Sequence, residues 1–300
     1  MINRLLGKIV DPHLREVLVG SALGLMIKVL AAASTFVMNI AIARVLGPSE
    51  AGLFFLGFTL VTLLAALGQM GLNNTLVRFV ANFIAQQKYG LARAVVRKGL
   101  IWAAVLCVVL SILGWISTGW LTNRIFEQPG FDDVLTVMWI ALPLVGLYIL
   151  CAQALQGLKQ VAKAMVTLNV IVPVVLVLGV LLLPVETAVQ MGWLYVGASV
   201  VALLSGILWW QSSAPKERFT EDVPSKQILD SCLPLWGVVV LNQLISWSSQ
   251  LLLGVNATAD EVALFAVAQR TAMLTSFVLV AVNAIAAPKF AAMYSQGDMD

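Results

Sequence analysis

The sequence predicts an all-α fold, a polytopic helical membrane protein with about eight transmembrane helices. Three observations carry that prediction. Apolar residues make up 60% of the chain and charged residues only 11%, where a soluble domain carries about 25% charged residues. So few charges cannot cover a water-facing surface, and lipid is the solvent that remains. Eight apolar stretches match a bilayer core of about 30 Å, which takes roughly 20 helical residues. The basic residues between those stretches alternate in number from one side to the other.

The stretches are Val17–Ala43, Gly52–Leu76, Leu100–Leu121, Val134–Leu155, Ala164–Pro184, Val189–Trp210, Ile228–Gly254 and Val262–Pro288. The first exceeds the roughly 7–15 residues of a signal-peptide core, so it reads as a retained span. Backbone groups in lipid have no outside partner, which makes each span a helix. Nothing shows the ten-residue alternation of a barrel strand. Pro143, Pro173 and Pro234 lie inside spans and predict kinks. Gly20 and Gly24 form a GxxxG pair on span one, suited to a close helix contact.

Placing the N-terminus in the cytoplasm puts fourteen of the 18 Lys and Arg residues on the inner side. They are Arg4, Lys8, Arg15, Arg78, Lys88, Arg93, Arg97, Lys98, Lys159, Lys163, Lys216, Arg218, Lys226 and Lys289. Only Arg44 and Arg124 fall outside, and Lys28 and Arg270 lie within spans. That asymmetry orients the chain in a bacterial inner membrane by the positive-inside rule. The connection Arg78–Lys98 is basic and partly amphipathic, an anchor beside anionic lipid or a specific headgroup contact.

Residues 1–211 read as a first six-helix lobe, 212–227 as a cytoplasmic linker with Pro215 and Pro224, and 228–300 as the start of a second lobe. A faint repeat supports this division. LGPSEAGLFFLG after span one aligns with LGVNATADEVALFAVA after span seven, pairing Leu53 with Leu264, Phe54 with Phe265 and Phe79 with Phe290. Repeated bundles with a site between them are a common transporter plan. On this reading the second unit continues past Asp300 in a longer protein.

Lys28 is the most informative single residue. Eleven residues into span one, it is expected near mid-membrane, where a lysine costs about 2.5–3.5 kcal/mol on insertion scales. Ser21, Thr35 and Asn39 fall within about 20° of it on a helical wheel. The stripe lines a wet cavity, or Lys28 snorkels and bonds nearby carbonyls. Arg270 lies in the outer half of span eight, for cargo or for the interface. On span seven, Gln243 and Gln250 share a face with Trp236, suiting sugar hydroxyls or interhelical hydrogen bonds. Asn73 and Asn74, with Gln69, lie near the inner end of span two, beside Arg78.

Other chemistry finds no support. Cys107, Cys151 and Cys232 lie in apolar runs without metal-type spacing, and His13 stands alone. P-loop, HExxH and nucleophile-elbow patterns are absent. No enzyme activity, cofactor, metal or nucleic-acid partner is expected.

The runs ARVLGPSEAGLFFLGFTLVTLLAALGQMGLNNTLVRFVA, CAQALQGLKQVAKAMVTLNVIVP and LPLWGVVVLNQLISWSSQLLLGVNATADEVALFAVAQR resemble the oligosaccharide-lipid flippase branch of the multidrug/oligosaccharidyl-lipid/polysaccharide exporter superfamily. The resemblance implies a two-lobe bundle of twelve or fourteen helices, with spans one, two, seven and eight lining a central cavity. It implies a transporter that flips undecaprenyl-pyrophosphate-linked oligosaccharide units of O-antigen, capsule or exopolysaccharide to the outer leaflet. The implied partners are that lipid-linked glycan, the bilayer, and a polysaccharide polymerase with its assembly proteins. A cation-coupled drug antiporter of the same fold is an alternative, weakened by the lack of a mid-span carboxylate. A non-transporting membrane scaffold is another. A membrane-embedded glycan polymerase or acyltransferase would need larger outer loops.

Overall fold

A computed structural model describes residues 12–215, 223–269 and 271–272, with side chains from Met26 onward except Lys28. Within these residues the chain is helical throughout, without strands. The elements are α1 (Pro12–Gly68), α2 (Leu72–Ala85), α3 (Tyr89–Trp120), α4 (Phe131–Gly157), α5 (Val161–Asn169), α6 (Ile171–Leu182), α7 (Ala188–Ser213) and α8 (Ser225–Asn256). A π-helical turn, Leu121–Phe126, extends α3, and residues 259–269 form a further helix.

Five described helices are long and apolar enough to cross a membrane, and α5 with α6 makes a sixth span bent by 42°. One of the five, Val29–Gly68, is 40 residues long. That is about 60 Å of helix, twice the hydrocarbon thickness. Its backbone breaks at Gly47, with φ 74° and ψ 173°, a conformation open to glycine because no Cβ obstructs it. Gly57 beyond the break packs on Val134 and Met138 at the start of α4. Thr35 before the break faces Gln153 and Gln156 near the end of α4. The chain therefore reverses at Gly47, and α1 supplies both span one and span two.

Three boundaries differ from the sequence expectation. Span two ends at Gly68 instead of continuing to Leu76. Gly71 takes φ 70°, against Cys232 and Trp236 on α8. Beyond it, α2 buries Leu72, Leu76, Phe79, Val80 and Phe83 along one stripe, which is the amphipathic part of the expected basic connection. The third span begins at Tyr89, well before Leu100, because Ala92, Val95 and Val96 already pack on α2. The fifth span is broken at Val170, just before Pro173. The helices around Pro143 and Pro234 continue unbroken.

The core gathers around α4. Trp139, Tyr195, Phe54, Phe55 and Phe131 are its largest fully buried side chains. Trp139 donates to the Thr118 hydroxyl at 2.9 Å. The rings of Phe54 and Tyr195 meet edge-on at 6.2 Å, with Phe55 and Phe58 at 5.8 and 6.3 Å from Phe54. Leucine, valine and tryptophan side chains on the outer faces of α3 and α8 are exposed, among them Ile116, Trp115, Leu241 and Ile245. Apolar surface on that scale suits acyl chains, not water.

The two ends of the bundle differ in charge. One end holds the connections 86–88 and 158–160 and the segments 214–215 and 223–224, with Lys88, Lys159 and, in the first turn of α8, Lys226. There Lys98 Nζ donates to the Val223 carbonyl at 2.9 Å, and Lys163 Nζ donates to Ser213 Oγ at 2.8 Å. The other end holds the turns at 47–50, 127–130, 183–187 and 257–258. There Glu50 accepts from the backbone N–H of Ala188 at 2.6 Å, at the start of α7. Gln128 Nε2 donates to the Ala257 carbonyl at 2.8 Å. Thr258 and Glu261 form a reciprocal capping box on the helix that follows.

The two segments aligned as a repeat meet at this second end. Gly52 lies so close to the backbone of Ala259 that a Cβ there would overlap its carbonyl.

Candidate functional site

An open recess of ≈440 Å³ lies between α1, α4 and α5. Ala31, Ala32 and Thr35 form one wall, Gln153 and Gln156 the second, and Met165, Leu168 and Asn169 the third. Each wall is one helix face, set by i, i+3 and i+4 spacing. Thr35 is the predicted cavity residue that the structure places there. Its hydroxyl donates back to the Ala31 carbonyl at 2.9 Å, leaving its lone pairs toward the recess.

Asn39, next on the same stripe, is buried and donates to the Thr35 carbonyl at 2.6 Å. Ser21 and Lys28 belong to α1, but their side chains lie outside the described residues, as does Arg270 entirely.

The register of α1 places residue 28 relative to the recess. Ala31 and Ala32 stand beside Met165 and Leu168, two to five residues above Lys163. Residue 28 lies one turn further toward the basic end. The helix runs from Pro12 and turns only at Gly47, so residue 28 falls sixteen residues after its start and nineteen before that turn.

The remaining predicted residues are placed elsewhere. Trp236, Gln243 and Gln250 do share a face of α8, and Trp236 and Gln250 on it turn toward α1. Gln250 is fully buried, and its Nε2 donates to the Phe55 carbonyl at 3.1 Å. Its Oε1 has no hydrogen-bond partner among the described residues. Gln243 is half-buried, while Asn242, Ser246 and Ser249 are exposed. Asn73 sits in the first turn of α2 with its Oδ1 buried and unpaired, one turn after Gln69, whose Nε2 is also buried and unpaired. Asn74 is exposed. Arg78 is exposed as well, and its Nη2 donates to Ser231 Oγ at 3.1 Å, linking α2 to α8.

Gln153, Gln156 and Asn169 were not singled out by the sequence. They are neutral and stand inside apolar runs, so no charge signal marks them. The available signals were a Gln pair at i, i+3 near a span end and an Asn four residues before Pro173.

Among the described residues no group of His, Cys, Asp and Glu is arranged to hold a metal ion. The recess instead offers neutral hydrogen-bonding groups. Each carboxamide supplies two donors and an acceptor.

No curated protein and no solved structure matches the chain. Residues 17–293 match the profile of a family described as "polysaccharide biosynthesis protein". That match spans nearly the whole chain and both sides of the 214–224 connection. Together with its long apolar helices, it establishes that this multi-pass membrane protein belongs to the polysaccharide biosynthesis protein family.

Proposed function

We propose that the chain is a transporter, not an enzyme, that moves undecaprenyl-pyrophosphate-linked oligosaccharide from the cytoplasmic to the outer leaflet by alternating access. The observation that carries this reading is the polar recess at the basic end of the bundle. A pyrophosphate is anionic and must leave water to cross a low-dielectric layer. Cations at the mouth of a polar chamber offset part of that cost. Lys28, one turn from the recess, is the side chain assigned to the pyrophosphate, with Arg270 its counterpart toward the other end. The basic end faces the cytoplasm of a bacterial inner membrane, because translocated loops are poor in Lys and Arg. The N-terminus is then cytoplasmic. The cargo is an O-antigen, capsule or exopolysaccharide unit, and the polymerase that receives it is the expected partner.

The test is charge-specific. Lys28→Ala is expected to abolish surface glycan while protein level stays normal, and Lys28→Arg to retain most of it. Undiminished display in the alanine variant removes Lys28 from transport. Accumulation of the lipid-linked glycan on the cytoplasmic face of the alanine variant separates a translocation defect from a synthesis defect.

A further inference from the structure

We infer that the recess between α1, α4 and α5 is a saccharide subsite, in which Gln153, Gln156 and Asn169 bind the neutral hydroxyls of the cargo's glycan. The inference rests on the transport reading and names the part of the cargo that this site takes.

Three observations meet at one place. The first is the chemistry of the walls. Gln153 and Gln156 are half-buried, and their side chains make no hydrogen bond to any described residue. Asn169 Nδ2 makes two long contacts, to the Met165 carbonyl at 3.4 Å and to Met165 Sδ at 3.8 Å, and its Oδ1 accepts from no described residue. Carboxamides donate and accept at once, as sugar hydroxyls do. No Lys, Arg, Asp or Glu lines the recess among the described residues, which disfavours a phosphate or a metal ion as the resident group. Ala31, Ala32 and Leu168 add flat apolar surface for the C–H face of a pyranose ring.

The second observation is the broken helix. The fifth span bends by 42° between Asn169 and Ile171. Residue 173 is proline, so the Asn169 carbonyl receives no helical hydrogen bond from four residues on. An unpaired carbonyl facing lipid costs several kcal/mol, and interrupted helices are tolerated where they line a polar cavity. Here the interruption forms the third wall of the recess. Discontinuous spans mark substrate sites in many transporters for the same reason.

The third is size and position. A recess of ≈440 Å³ falls within the range of about 300–1,000 Å³ typical of small-ligand sites. Its first wall, Ala31 and Ala32, lies one helical turn along α1 from residue 28.

The test uses the full chain in nanodiscs. Ala32→Cys puts one thiol in the recess wall, and Cys107, Cys151 and Cys232 are buried, so maleimide labelling reports residue 32. Two probes are compared, undecaprenyl pyrophosphate and the same lipid bearing one N-acetylglucosamine. Native mass spectrometry measures total binding of each. The sugar-bearing probe is expected to slow labelling about tenfold and the bare lipid to leave it unchanged. Gln153→Leu with Gln156→Leu should remove the protection and weaken the sugar-bearing probe about tenfold, the scale of one or two lost hydrogen bonds. Bare-lipid binding should not change. Gln153→Asn with Gln156→Asn keeps the amides but shortens their reach. It should lose protection too, which guards against a folding defect in the leucine pair.

Equal protection by both probes, or full protection in both amide variants, overturns the saccharide subsite and leaves the transport reading standing. Failure of either probe to bind at all overturns the transport reading, and the subsite with it.

Discussion

Trp236 of α8 donates its indole N–H to the backbone carbonyl of Leu67 at 3.1 Å. Leu67 lies in the last turn of α1, and its carbonyl also accepts from the Met70 N–H at 3.2 Å. The indole thus adds a second, interhelical bond at the helix end beside the break at residues 69–71. Trp236→Phe keeps most of the apolar area and removes the donor. It is expected to destabilise the protein by about 1–1.5 kcal/mol, read as a fall of a few degrees in thermal unfolding in detergent. A midpoint equal to the parent's would show that the Met70 N–H alone satisfies the carbonyl.

Gln250 presents the opposite balance. Its Nε2 bond to Phe55 adds to a carbonyl that already accepts from the Thr59 hydroxyl at 2.8 Å. Its own Oε1 is buried and unpaired. A net hydrogen bond is worth about 1 kcal/mol, and an unsatisfied buried group costs about 1–3 kcal/mol. Gln250→Leu is therefore expected to be neutral or slightly stabilising, whereas Gln250→Glu should reduce folded protein severely. Lost glycan display in a stable leucine variant would move Gln250 from packing to transport.

At Gly52, packing decides. A methyl there meets the Ala259 backbone, which cannot rotate away as a side chain does. Gly52→Ala is expected to cost about 1–3 kcal/mol or more. The helix that starts after Thr258 should then be cut faster in limited proteolysis. Unchanged proteolysis would mean that the two corners slide past each other freely.

Sidedness follows from single cysteines at exposed positions. Ala85→Cys lies at the basic end and Asp132→Cys at the other. An impermeant maleimide added to cells with a permeable outer membrane is expected to label position 132 and not 85. The buried native cysteines supply little background. The reverse pattern would invert the proposed orientation.

The spans were legible because burial in lipid needs length and hydropathy, and both are written locally. The reversal at Gly47 was legible from the charge alternation, which fails if spans one and two are merged. Helix ends were less legible. Hydropathy marks where apolar residues begin, not where the helix begins, and α1 starts at Pro12, before the apolar run that opens at Val17. The recess was hardest to read. Its walls come from residues 31–35, 153–156 and 165–169, and three neutral amides leave no periodic or electrostatic trace until helices bring them together. Gln250 shows the converse: a pattern that suits sugar binding equally suits a bond between two helices.

The attachment of α8 bears on how such a machine could change shape. It is fastened to the second arm of α1 at Leu67 and at Phe55, and the chain that follows it rests on Gly52. Those fastenings run nearly the length of the arm. These bonds join the chain on either side of 214–224 into one packed surface. On the transport reading proposed above, rocking is expected to shear surfaces other than this seam, and a crosslink placed across it to leave turnover intact.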